Sequence, residues 1–138
     1  MSFSISITID LKNNPNSSLA ENILKDAAQN CNSINSYDDY DLEGTNNYVK
    51  TNNKVQIYEF DHQFDLTNFM KFIKNATNTF LYKIQIESIY KNNSIIYASK
   101  HYLNDISKTM HSKEDIIAVI EENKKFPDLK EIYNIINP

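Results

Sequence analysis

The chain opens on a strict alternation of apolar and polar residues. Phe3, Ile5, Ile7 and Ile9 alternate with serine and threonine, which is the period of a strand that buries one face. A turn-forming Asn-Asn-Pro-Asn segment follows at 13–16. The pattern therefore predicts a first strand over 3–9, with its apolar side facing the core.

Helical spacing replaces the alternation after this turn. Apolar residues recur every three or four positions from Ala20 to Cys31, and Ser18 with Glu21 has the sequence of a capping box. The same spacing returns from Leu66 to Ala76, where Asp65 is placed to cap the helix. Two helices are therefore predicted.

The remaining segments predict more strands and two final helices. Residues 48–51 and 54–60 read as a hairpin around Asn52-Asn53, and 80–90 and 94–102 as a second one around Asn92-Asn93. The polar stretch 32–47 is predicted to be a loop, alternatively with a short edge strand inside it. Ser112 caps a helix, and Pro127 begins the last one.

This order predicts the fold class. The elements read β-α-β-β-α-β followed by β-α-α, and the first six match the ferredoxin-like split βαβ order. We expect an α+β protein with an antiparallel sheet, two helices on one face and a C-terminal β-α-α extension. At 138 residues, one domain over 1–138 is expected, with a sheet core at 1–103 and C-terminal helices at 112–138.

Composition narrows the function classes. The chain has no arginine or tryptophan, and its 20 asparagines, 19 isoleucines and 14 lysines are typical of AT-rich genomes such as those of large DNA viruses. With a net charge of −4, nucleic-acid binding is disfavoured. A single glycine, Gly44, argues against a glycine-rich nucleotide loop. No cofactor is predicted.

Cysteine usage and hydropathy favour an intracellular, cytoplasmic protein. Cys31 is the only cysteine, so no intrachain disulfide can form, and we expect a buried structural thiol there. The first ten residues alternate rather than form the apolar run of a signal peptide. No stretch of about 18 apolar residues is present, so no membrane partner is expected.

Two acidic clusters are candidate metal sites. Asp39, Asp41 and Glu43 have the early spacing of a calcium loop, but Lys50 stands where the bidentate glutamate belongs. Glu59, Asp61 and His62 have the residue types of a metal-assisted hydrolase. The competing interpretations are a solvated acidic loop over 36–47 and a strand-end turn.

Aromatic residues suggest binding functions. Tyr58 and Phe60, in a segment that loosely resembles the third-strand motif of RNA-recognition modules, are candidates for stacking single-stranded RNA bases. Tyrosine is enriched at protein interfaces. The proposed interaction residues are Tyr58, Phe60, Tyr90, Tyr97 and Tyr102. A non-enzymatic protein–protein interaction module, with a protein partner or a homo-oligomer, is the leading hypothesis.

Overall fold

The computed structural model describes residues 2–11, 16–38, 53–79, 83–107 and 111–138. These residues form an α+β fold with a five-stranded antiparallel sheet and five α-helices. The elements are β1 (Phe3–Asp10), α1 (Ser17–Ala27), β2 (Ser33–Asp38), β3 (Asn53–Phe60), α2 (Gln63–Thr79), β4 (Ile84–Lys91), β5 (Ser94–Ala98), α3 (Lys100–Ile106), α4 (Lys113–Lys124) and α5 (Lys130–Ile136). A turn of 3₁₀ helix at Pro127–Leu129 leads into α5.

The strands lie in the order β2-β3-β1-β4-β5. The first strand is central because its alternation gives it a fully apolar side. Its four apolar side chains are at most 1 % exposed, whereas the serines and threonine between them are half-buried. Phe3 lies opposite Phe60, and Ile5 lies opposite Tyr58. The apolar face of β1 is therefore continuous with that of β3.

Helices α1 and α2 cover this apolar face. Leu24 of α1 is fully buried, and Phe69 of α2 packs on two rings of β3. The Phe69 centroid lies 4.8 Å from that of Tyr58 and 5.3 Å from that of Phe60, with both pairs tilted. Such ring pairs add stability beyond their buried area. The predicted α+β class with an antiparallel sheet is confirmed.

The C-terminal elements extend and cover the other end of the sheet. Strand β5 pairs with β4, α4 lies against β5, and α5 packs against α2. Ser112 caps α4 by accepting a hydrogen bond from the Asp115 amide at 3.2 Å, as predicted. Among the described residues, no helix combines the length and apolar character needed to cross a membrane.

Helix α3 is the element that the sequence pattern did not predict. The apolar rhythm of 94–102 suggested one strand, but the strand ends at Ala98. Ser99 then caps α3, its hydroxyl accepting from the Tyr102 amide at 3.1 Å. Serine favours a helix start over a continued strand here, because its side-chain oxygen accepts from an amide in the first turn that has no acceptor within the helix.

Several local predictions at other helix and strand ends need correction. Ser18 does not form the predicted capping box, because α1 already begins at Ser17 and Glu21 contacts β3 instead. Asp65 lies inside the first turn of α2 rather than before it. The edge strand considered for 32–47 is present as β2, which pairs with β3. The predicted strand at 48–51 lies outside the described residues.

Candidate interaction surface

The outer edge of β2 is an unpaired strand edge in the described part of the chain. On its inner side β2 pairs with β3 along its whole length, from Ser33 opposite Glu59 to Asp38 opposite Lys54. On its outer side, none of the described strands or helices pairs with it. Such an edge carries a row of backbone donors and acceptors that can accept another strand.

The hydrogen-bond pattern between neighbouring strands determines which backbone groups of β2 point outward. The Asn92 amide donates to the Ser2 carbonyl, and the Asp10 amide donates to the Lys83 carbonyl. Even-numbered residues of β1 therefore bond to β4, and odd-numbered ones bond to β3. The same alternation applies to the β1–β3 register and then to the β3–β2 register. It makes the odd-numbered residues of β2 bond to β3. The N–H and C=O groups of Ile34, Ser36 and Asp38 point away from the sheet.

Apart from the charge of Asp38 at its end, strand β2 lacks the lysine, proline or bulge that often protects a sheet edge. Its sequence, SINSYD, contains no lysine and no proline, and its pairing with β3 runs without a bulge. Natural edge strands are commonly blocked by one of these devices or by a covering segment. Asn35 and Ser36 are exposed. Within the described residues the edge is therefore open to strand addition.

The strand at the opposite edge of the sheet, β5, has helices packed against it. Helix α4 lies against β5 and buries Ile116 and Ile120 there. The Tyr133 hydroxyl of α5 donates to the Ile96 carbonyl of β5. Burial, and to a lesser degree the nearby Glu121 carboxylate, raises the pKa of Tyr133 to about 12. The phenol thus keeps its proton for this bond at neutral pH.

Tyr58 and Phe60 do not belong to any exposed surface. They are 0 % and 1 % exposed and pack under Phe69, so neither ring is available to a stacked base or to a partner on the surface. The prediction that they are interaction residues is corrected for this reason. Alternation put both rings on one face, and that face is the one that α2 covers.

A chain of polar contacts connects Tyr58 to helix α1. The Tyr58 hydroxyl donates to Oε1 of Gln56, and Nε2 of Gln56 donates to Oε1 of Glu21 at 2.8 Å. Lys54 forms an ion pair with the same Glu21 carboxylate. Burial, then the charge of Glu21, then Cys31 raise the pKa of Tyr58. The chain satisfies buried polar groups and joins α1 to β3.

The other predicted tyrosines serve the interior in part. Tyr90 and Tyr102 share a hydroxyl–hydroxyl hydrogen bond of 2.9 Å that joins β4 to α3, and both rings are half-buried. Tyr97 is half-buried and lines a cleft on the other side of the sheet. The three residues therefore do not form one surface, and only partial exposure remains for binding.

Glu87 is a buried carboxylate that sequence reasoning missed. It is 7 % exposed and accepts hydrogen bonds from the Thr8 hydroxyl at 2.8 Å and the Ser99 hydroxyl at 3.2 Å. Simple alternation placed Glu87 with Gln85 on a polar side. A bulge in β4, opposite Ser6 and Ile7, changes the register there and directs Glu87 toward Thr8.

The acid clusters show no metal-binding geometry among the described residues. Glu59, Asp61 and His62 are exposed at the end of β3, and no group of three His, Cys, Asp or Glu side chains in the described ranges could hold a metal ion. Asp39, Asp41 and Glu43 lie outside those ranges. Cys31 is half-buried rather than fully buried, and desolvation raises the pKa of its thiol.

Comparison of the chain with protein-family models, with curated proteins and with solved structures found no match.

Proposed function

We propose that this protein is a non-enzymatic interaction module that binds an extended protein segment by strand addition along β2. The observation that carries the proposal is the contrast between the two sheet edges. Helix α4 covers β5, whereas the outward backbone groups of β2 have no partner among the described residues. Main-chain hydrogen bonds supply the affinity in this mode of recognition, and alternate side chains supply selectivity.

A second copy of the chain is the simplest occupant of this edge. Two antiparallel β2 strands related by a two-fold axis must pair residues of the same sheet face. An axis through Ser36 places Ser36 opposite its own copy and Ile34 opposite Asp38. These are the residues whose backbone groups point outward, so their donors and acceptors meet. Pairing of this kind would join two five-stranded sheets into one.

We also propose that β1 to β4 with α1 and α2 constitute a ferredoxin-like core. What supports this is the combination of element order, β-α-β-β-α-β, with the spatial order β2-β3-β1-β4 and two helices on one face. Strand β5 and the three C-terminal helices are then an extension that covers the β4 side. In this arrangement β2 is left as the uncovered edge of the core.

Light scattering on three matched proteins tests the function. Ser36→Pro removes an outward N–H and places a proline ring on the edge, where proline is tolerated. Ser36→Thr keeps the N–H and favours a strand. We expect a dimer for the wild type and for Ser36→Thr, and a monomer for Ser36→Pro.

Two other outcomes are informative. A wild-type protein that stays monomeric at high concentration rules out the second copy, and a pull-down with Ser36→Pro as the control then tests for a different partner. A partner retained equally by the wild type and Ser36→Pro would contradict strand addition at β2.

A further inference from the structure

A small cleft lies between helix α2, strands β4 and β5, and helix α5. Its volume is about 230 Å³. This is the share of liquid volume that roughly eight water molecules occupy, and it is smaller than the sites that hold drug-sized ligands. The apolar lining comes from α2, β4 and α5, whereas β5 contributes Tyr97. These apolar residues are Met70, Ile73, Ile84, Ile86, Ile135 and Ile136.

One cation lies at this cleft, and the other polar lining residues, Thr77, Asn78, Gln85 and Tyr97, are uncharged. Lys74 is the charged side chain among the described lining residues, and none of those residues is a carboxylate. Its Nζ atom lies 3.5 Å from the Ile136 carbonyl, which is the outer limit of a hydrogen bond. The Lys74 residue as a whole is half-buried, and its positive charge would attract an anion bound in the cleft.

Tyr97 adds a second donor. Its hydroxyl makes no hydrogen bond to any described residue, although the side chain is half-buried in the lining. Burial, followed by the charge of Glu87, raises the pKa of Tyr97, so the hydroxyl remains protonated. Lys74 and Tyr97 line the same cleft, so an ammonium and a phenol are both available there as donors to an anionic head group.

We propose that this cleft binds an aliphatic carboxylate of about six carbons in all. The apolar lining holds the tail, and Lys74 with Tyr97 receives the carboxylate. The tail length follows from the volume, since roughly eight non-hydrogen atoms fill it. The cleft lies on the β4–β5 side of the sheet and β2 at the opposite edge, so this site is independent of strand addition.

Isoleucine-methyl NMR titration with hexanoate tests the site. We expect saturable shifts of the Ile84 and Ile135 methyl groups, with a dissociation constant below about 1 mM. Hexanol should bind at least about tenfold more weakly, because it lacks the charge. Lack of saturable shifts up to about 10 mM hexanoate, or equal affinity for hexanol, overturns the proposal.

Two lysines of one helix provide a matched pair of variants. Lys74→Met should weaken hexanoate binding about tenfold while leaving hexanol binding unchanged, which also shows that the cleft is intact. The ammonium of Lys71 is exposed and pairs with Glu131 at 2.9 Å. Lys71→Met should therefore leave the affinities for hexanoate and for hexanol unchanged. Equal losses in the two variants would overturn the role of Lys74.

A peptide C-terminus is the alternative source of a carboxylate beside an apolar group. N-acetyl-leucine represents it in the same titration. We expect N-acetyl-leucine to bind more weakly than hexanoate, because it has more than the roughly eight non-hydrogen atoms that the cleft holds. Tighter binding of N-acetyl-leucine would overturn the assignment to an aliphatic acid.

Discussion

At the scale of single residues, buried polar groups are fixed by partners far away in the chain. Glu21 was expected to cap its own helix, yet its carboxylate meets Gln56 and Lys54 on β3. The cap pattern in the sequence is local, whereas the observed hydrogen bond between Gln56 and Glu21 joins residues 35 positions apart. Tertiary contact therefore decides the role of Glu21, and no local rule could have predicted it.

Removing the Tyr58 hydroxyl should destabilise the protein more than removing the Tyr90 hydroxyl. Tyr58→Phe leaves the buried Oε1 of Gln56 without its donor, which costs about 1–3 kcal/mol. Tyr90→Phe breaks a half-buried bond whose remaining hydroxyl can reach water, and should cost about 1 kcal/mol or less. Urea denaturation measures both, and equal losses would contradict a buried polar chain.

The free energy of unfolding should fall at alkaline pH, partly because the Tyr133 hydroxyl loses its proton. Its pKa is raised to about 12 in the folded protein, against about 10 for an unfolded tyrosine. The folded state thus holds the proton more tightly, so this contribution is complete below about pH 10 and is lost as the pH rises toward 12. Unfolding free energy measured across this window should fall less steeply for Tyr133→Phe. Identical slopes would contradict the assignment.

At the scale of elements, strong periodicity predicted most of the sheet and the helices on its apolar face. The alternation of β1 and the helical stripe of α2 were sufficient because each buries one side. Asn92 and Asn93 adopt positive φ values of 50° and 68°, as the predicted two-residue hairpin requires. Helix α3 and the β4 bulge were missed, because a short amphipathic helix and an extra strand residue leave little periodic signal.

The cap of α3 should be worth more than the cap of α4. Ser99 both accepts from the Tyr102 amide and donates to the buried Glu87 carboxylate. Ser112 makes only the exposed cap to Asp115 among the described contacts. We expect Ser112→Ala to cost about 1 kcal/mol and Ser99→Ala to cost about 2–3 kcal/mol, because Glu87 also loses a donor. Thermal or urea unfolding would detect this difference, and a larger cost for Ser112→Ala would refute it.

At the scale of the whole molecule, the two sheet edges differ. Helix α4 packs against the edge strand β5, whereas no described strand pairs with the outer side of β2, so β2 is the edge that favours strand addition. The hypothesis of an interaction protein came from a well-patterned core without a convergent catalytic set, and the tyrosines that were added as interaction residues are buried or half-buried. The candidate surface instead depends on backbone groups, which have no residue signature. The candidate surface on β2 can be recognised only from the strand order and register.

Amide hydrogen exchange along β2 tests the central claim most directly. In dilute protein, the inward amides of Asn35 and Tyr37 should be protected by β3, and those of Ile34 and Ser36 should exchange at least about tenfold faster. Raising the protein concentration, or adding the true partner, should slow Ile34 and Ser36 while Asn35 and Tyr37 change little. Uniform protection of all four amides in dilute protein, or fast exchange at Asn35 and Tyr37 instead, would contradict an open outer edge on β2.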